Sequence, residues 1–247
     1  MNHQIMDNEE NKDYYIKNKK KILKQFNSLV KVAKKIALPN YDIEIVEKII
    51  ENTYKELENL LVKIPYVGGD KSPFTPLMIQ SAETIALYKA CKSLNLTKRE
   101  IGKIIYDIAE NSAQSISFFK KFLYRRAIFS KKLKNYWEYW LNESQKRLYP
   151  ENWLGVFVES DEKSFDYGFN FTECGCLKLL DKENAKEIAP YICLCDYARM
   201  RAFGIGFKRN KTIAAGSDIC DFRFIRDYQT PRGWPPESLE ENKTFKM

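Results

Sequence analysis

The hydrophobic period of this chain changes once, at Pro150, and that change bounds the folds open to it. Upstream, apolar residues recur at helical spacing: Ile22, Phe26, Leu29, Val30, Ala33 and Ile36 form one stripe, which Pro39 and Asn40 end. Ile43, Val46, Ile49, Ile50, Leu57, Leu60 and Leu61 form a second, so residues 1–150 are predicted to be a helical region. Ile64-Pro65-Tyr66-Val67-Gly68-Gly69 reads as a non-helical loop. Thr75-Pro76 has the form of an N-cap followed by proline at the first helical position, opening a helix through Cys91. Thr97 and Glu100 form a capping box for the next. Ser115 to Leu148 reads as one long helix whose Phe118, Phe119, Phe122, Trp137 and Trp140 are expected in the core.

Downstream the segments shorten and take on β character. Trp153–Val158 and Phe165–Phe171 read as strands around the turn Ser160-Asp161-Glu162-Lys163. Helices are expected over Cys174–Leu180 and Ala185–Ala202, the second stopped by Gly204. Strands Gly206–Ala214 and Ile219–Arg226 follow, joined through Gly216-Ser217-Asp218. The order predicts an α+β fold, with a helical N-terminal half packed with a small antiparallel sheet and helices in the C-terminal half. Residues 151–230 would be the α+β region, integrated with 1–150 in one domain, and 231–247 a loosely held polar tail.

Composition narrows function more than fold. The chain has 247 residues, 44% hydrophobic and 30% charged, the balance of a globular protein rather than a disordered one. Charged residues interrupt every helical stretch, so no bilayer span is expected. The opening MNHQIMDNEENKDYY lacks the charged-then-apolar order of a signal peptide, leaving a cytoplasmic protein as the expectation. The net charge of +8 sits in residues 1–150, with 27 Lys and Arg against 17 Asp and Glu; residues 151–247 carry 14 against 16. Those lysines interleave with apolar residues at helical spacing, as on solvated helix faces, so neither nucleic acid nor a membrane is expected as partner. The single histidine, His3, lies in the polar leader. Chemistry built on an imidazole, whether Ser-His-Asp triad, Cys-His dyad or histidine-ligated zinc, is therefore not expected.

Six cysteines remain, and five of them (Cys174, Cys176, Cys193, Cys195 and Cys220) fall within 47 residues; Cys91 stands alone in an apolar helix as a small core residue. Around the five lie Glu173, Asp196, Arg209, Thr212, Gly216 and Asp221. Three readings of this set are open. A metal site is a poor fit, since the close pairs are Cys-x-Cys and no histidine completes them. Buried thiols account for Cys176 and Cys195, but not for Asp196 three residues after Cys193 on one helix face, because a buried carboxylate requires a partner. Covalent catalysis by a thiolate needs a cation or base beside it; Arg209 offers the cation, or a fork for a substrate carboxylate, and Asp196, Asp221 and Glu173 offer proton transfer. A depressed thiol pKa is expected if this third reading holds.

The stretch Tyr167–Phe224 resembles the L-2-amino-thiazoline-4-carboxylic acid hydrolase family, whose pattern places a Cys soon after an aromatic strand, a Cys-x-x-Asp, an Arg before Thr-x-Ala-x-Gly, and Cys-Asp-Phe. Here these are Cys174; Cys193 and Asp196; Arg209 with Thr212, Ala214 and Gly216; and Cys220-Asp221-Phe222. A second block, Ile64 to Asp107 with its Pro-Tyr-x-Gly-Gly segment, agrees. The match is loose at Asn210, Lys211 and Ile213, and Cys176 and Cys195 are extras.

The resemblance implies hydrolysis of a non-peptide C–N bond in a small cyclic amidine or thiazoline, without cofactor or metal. Cys220 first, Cys193 second and Cys174 are the cysteines it points to, with Asp196 for proton transfer. Arg209 and Thr212 would hold substrate, with Asp221 and Glu173 nearby and Gly68-Gly69 lending N–H groups or acting as a lid. Alternatives are an enzyme of the same fold working in the cyclising direction or on a substrate borne by an acidic carrier protein, a non-catalytic small-molecule binder, and a metal-binding protein.

Overall fold

A computed structural model describes residues 13–37, 41–161 and 163–242, with Ala37 as backbone only. His3, the expected helix stop at Pro39-Asn40, Glu162 of the expected turn and the last five residues lie outside the described residues.

The chain divides into two compact units. One takes in the described residues up to Ile108 with Leu148–Asn152 and Gly175–Ala189; the other takes Ala109–Arg147, Trp153–Cys174 and the described residues from Pro190 on. The fold is α+β.

In the first unit the helical stripes become α1 (Tyr14–Lys17), α2 (Lys19–Ala37), α3 (Ile43–Leu61), α4 (Phe74–Lys92) and most of α5 (Lys98–Gln114). Helix α3 buries Val46, Ile49, Leu57, Leu60 and Leu61 and packs along α4, which is buried over most of its length. The second contributor to the cover of α4 is α8 (Gly175–Lys182). The capping box forms as expected: Thr97 N donates to Glu100 Oε2 at 2.7 Å and Glu100 N to Thr97 Oγ1 at 3.3 Å. The Thr75 cap does not form. Helix α4 begins at Phe74, two residues before Pro76, Ser72 Oγ accepts from Phe74 N at 3.2 Å instead, and Thr75 Oγ1 is buried without a partner.

The second unit holds α6 (Phe118–Ile128), α7 (Lys131–Ser144), β1 (Leu154–Glu159), β2 (Tyr167–Glu173), nearly all of α9 (Ala189–Phe203), β3 (Gly206–Lys208) and β4 (Cys220–Ile225). The expected long helix over Ser115–Leu148 is two helices, because Ser130 turns the chain. Its hydroxyl donates to Ala127 O at 2.6 Å and accepts from Leu133 N at 3.3 Å, ending one helix and capping the next. The expected core role of the aromatics fails on α6: Phe118 is 85% exposed, Phe119 68% and Phe122 46%. Periodicity reports which residues share a face, not whether a neighbour covers it. On α7, by contrast, Trp137 lies 5.2 Å from Phe169 of the sheet.

The sheet is antiparallel throughout, in the order β1-β2-β4-β3. Phe171 pairs with Cys220, Phe169 with Phe222 and Tyr167 with Phe224, so these six share one face while Asp221 and Arg223 take the other. The expected third strand is shorter than Gly206–Ala214: pairing stops at Lys208, and Arg209 turns inward. Gly206 is required here, since a Cβ would sit 1.9 Å from Ile225 O. Gly204 closes α9 at φ +67°, with Ile205 N returning to Met200 O at 2.9 Å. Of the expected tail 231–247, the described residues 231–242 are not loosely held: Leu239, Glu241 and Asn242 are buried. The polar composition of this segment concealed an ion pair that holds it.

Candidate functional site

That ion pair centres on Arg209, whose side chain is 1% exposed. An arginine so deeply buried must find acceptors for nearly all of its five N–H groups. Nε donates to Glu241 Oε2 at 2.5 Å and Nη2 to Glu241 Oε1 at 2.8 Å, a fork-on-fork pair. Nη2 also reaches Cys193 O at 3.0 Å, and Nη1 reaches Asp196 Oδ2 at 2.8 Å. The guanidinium stands 4.8 Å from the centre of the Phe222 ring, 5.5 Å from Tyr197 and 5.7 Å from Phe207. Tyr197 OH donates within this knot, to Arg209 O at 3.0 Å or Glu241 Oε2 at 3.1 Å. Burial alone would lower the Arg209 pKa; Glu241, then Cys193 and Asp196, hold it well above the ordinary arginine value.

Each element delivers its part for a local reason. Helix α9 carries Cys193, Asp196 and Tyr197 at i, i+3 and i+4, hence on one face. Strand β4 presents Cys220 and Phe222 on its aromatic face. The segment between β3 and β4 is shaped by Asp221, whose Oδ1 accepts from Asn210 N at 2.9 Å and Lys211 N at 2.6 Å. Thr212 follows, wholly buried, and Gly216 at φ +94° completes the turn.

The Thr212 hydroxyl then lies 3.6 Å from Cys193 Sγ and 3.6 Å from Cys220 Sγ, so one hydroxyl links two thiols. Cys220 Sγ also accepts the Ile213 N–H at 3.2 Å. The expected depressed thiol is not found. Burial raises Cys193 well above the ordinary value despite Arg209, and burial raises Cys220 against Arg209, the Ile213 N–H and Thr212. Both sulfurs are therefore thiols at neutral pH: loss of hydration outweighs a cation whose charge is already shared between two carboxylates. The site is open on one side, where Asp196 is 30% exposed and Cys193 and Cys174 are partly exposed.

Of the residues singled out from sequence, Cys193, Asp196, Arg209, Thr212 and Cys220 meet in this knot. Cys174, at the end of β2, is close enough to Cys220 to raise its pKa. Asp221 acts on the loop backbone, and Glu173 Oε1 pairs with Arg147 Nη2 at 2.6 Å. Cys195 is buried, its Sγ 3.9 Å from Tyr191 O, and burial pushes it up to about 11. Gly68 and Gly69 belong to the first unit, where both have positive φ; a Cβ on Gly68 would meet Ser72 Cβ at 2.9 Å, and one on Gly69 would meet the Tyr66 hydroxyl at 2.8 Å. No group of three or more Cys, His, Asp or Glu is arranged to hold a metal ion among the described residues.

Sequence reasoning missed Glu241 and Tyr197. The signal for Glu241 was indirect: an arginine read as part of a buried cluster demands a carboxylate, and only the structure shows that the second one comes from the acidic ESLEEN segment.

A family model described as L-2-amino-thiazoline-4-carboxylic acid hydrolase matches residues 77–224, well over half of the chain and the whole stretch from Cys193 to Cys220. No curated protein and no solved structure matches it.

Proposed function

Because the chain belongs to the L-2-amino-thiazoline-4-carboxylic acid hydrolase family, we propose that it hydrolyses a C–N bond of a small cyclic amidine or thiazoline bearing a carboxylate, with Cys220 as nucleophile. One observation carries the reading: two thiols share a hydroxyl beside a carboxylate–guanidinium pair, within the matched stretch. The Cys220 sulfur adds to the amidine carbon, forming a C–S bond as the ring C–N bond breaks. The thiol proton leaves through Thr212 to water on the open side of the site, Asp196 takes up a proton from that water and passes it to the leaving nitrogen, and the net result is transfer of one proton from sulfur to nitrogen. Water then adds to the same carbon, the C–S bond breaks and the thiol is restored, so one water is consumed per bond cleaved.

Arg209 takes a divided part. Four of its five N–H groups are spent on Glu241, Asp196 and Cys193 O, which leaves one Nη1–H for a substrate carboxylate. Its larger effect is positional, orienting Asp196 and the turn of α9 that bears Cys193. The test is an assay of ring opening with 2-amino-thiazoline-4-carboxylate for Cys220→Ala, Cys193→Ala and Asp196→Asn. Loss in Cys220→Ala and Asp196→Asn supports the scheme, and loss in Cys193→Ala alone moves the nucleophile to Cys193. Unchanged turnover in all three folded variants refutes it.

A second reading has its own support. Helix α6 exposes Phe118, Phe119, Phe122, Leu123 and Tyr124 among Lys120, Lys121, Arg125 and Arg126. Apolar anchors ringed by cations suit an acidic carrier protein delivering a tethered substrate, for hydrolysis or for the reverse, cyclising reaction. Turnover of a carrier-borne substrate that falls steeply with salt, beside salt-insensitive turnover of the free acid, would favour it.

A further inference from the structure

The second unit contains a cleft of about 560 Å³ whose lining includes Arg125, Arg201 and Arg226, and none of the groups discussed above as catalytic lines it. That volume suits a small organic molecule. The three arginines are not neutralised as Arg209 is. Arg125 donates to no group among the described residues. Arg201 gives one Nη1 bond to Glu110 Oε1 at 2.9 Å, which leaves its Nη2 unspent; Arg226 approaches Asp166 Oδ1 through Nε at 3.6 Å and lays its guanidinium 4.9 Å from the centre of the Phe129 ring, a stacking that leaves the Nη edge available. Glu110, 10% exposed, is committed to Arg201, which leaves Asp227 as the other carboxylate of the lining. Gln114 and Gln229 add neutral donors and acceptors.

The field around the cleft has the same sign. Residues 111–137, which supply Gln114 and Arg125, contain seven Lys and Arg and no Asp or Glu. The lining itself carries three arginines against two carboxylates, and a recess of net positive charge with low-dielectric walls concentrates anions. Gly204, at φ +67°, lies beside Arg125: a Cβ built there would stand 3.8 Å from Arg125 Nη1, in ordinary contact.

We infer that this cleft is a binding site for a small oxyanion-bearing molecule, a phosphorylated or polycarboxylate metabolite, held by the guanidinium forks of Arg125, Arg201 and Arg226. Forked donors suit such groups better than ammonium points do. The inference does not rest on the hydrolase reading.

Isothermal titration of the full chain with inorganic pyrophosphate, and separately with citrate, at constant ionic strength tests it. One saturable site is expected for at least one probe, weakened about tenfold or more in Arg125→Ala and in part in Arg125→Lys, which keeps the charge and loses the fork. Lys132→Ala, in the same acid-free segment but outside the lining, should bind within twofold of wild type. Arg226→Ala is the substitute should Arg125→Ala not fold. A pyrophosphate preference assigns a phosphorylated ligand and a citrate preference a polycarboxylate. Absence of saturable binding for both probes, or equal weakening in Lys132→Ala and Arg125→Ala, overturns the site. Cys220→Ala should bind each probe as the wild type does, which separates failure here from failure of the catalytic scheme.

Discussion

Arg209 and Arg125 are the same side chain put to opposite uses. Arg209 is 1% exposed, gripped by Glu241, Asp196 and a carbonyl, and bedded on three aromatic rings. Arg125 lies on the exposed helix α6 with its donors unspent. A buried charge survives only when its surroundings are built to satisfy it, so it organises the chain around itself; a surface charge costs little and is left free for a ligand. The difference teaches that charge alone did not mark the candidate site. The degree of internal satisfaction did.

The sharpest way to break that contrast is to remove the interior partner. Glu241→Ala should destabilise the protein by about 3–5 kcal/mol, since it leaves a buried guanidinium with the part-exposed Asp196 as its remaining counter-charge; denaturant unfolding reads it, and an effect below about 1 kcal/mol would show that the knot is not held by the pair. Asp196→Asn keeps an acceptor for Arg209, so its fold should hold while ring opening falls at least about a hundredfold. Comparable loss of both would make Asp196 structural.

Alkaline pH probes the interior thiols. Cys195 is raised to about 11 and Cys91 to about 12, both by burial. Above the unfolded thiol value the unfolded chain loses protons that the folded chain keeps, so stability should decline from about pH 8.5 toward pH 11. Thermal melts across that range should show the decline, with a smaller one in Cys91→Ala than in wild type. The smallest effect belongs to the surface: Arg125→Ala should change stability by no more than about 0.5 kcal/mol. A larger shift would mean that Arg125 is a structural group after all.

Much of the local architecture was legible in advance, because short-range chemistry dictates it. The Thr97–Glu100 box, the Gly204 stop and the alternation that sets Cys220 and Phe222 opposite Asp221 depend on neighbours within a few residues. The failures share a cause. Ser130 could cap a helix or lie within one, and only the break itself shows which. Phe118 and Phe119 have the pattern of core residues, yet nothing covers them among the described residues.

The sequence by itself determined the α+β class, the lack of a histidine outside the leader, and the set of thiols and acids from which chemistry could be drawn, since these follow from composition and period. Tertiary structure decided that Thr212 stands between two sulfurs, that Glu241 returns from the last described residues to clasp Arg209, and that burial keeps the thiols protonated. Those outcomes depend on distances between residues far apart in the chain, and on the water each group loses in getting there, which no local pattern encodes.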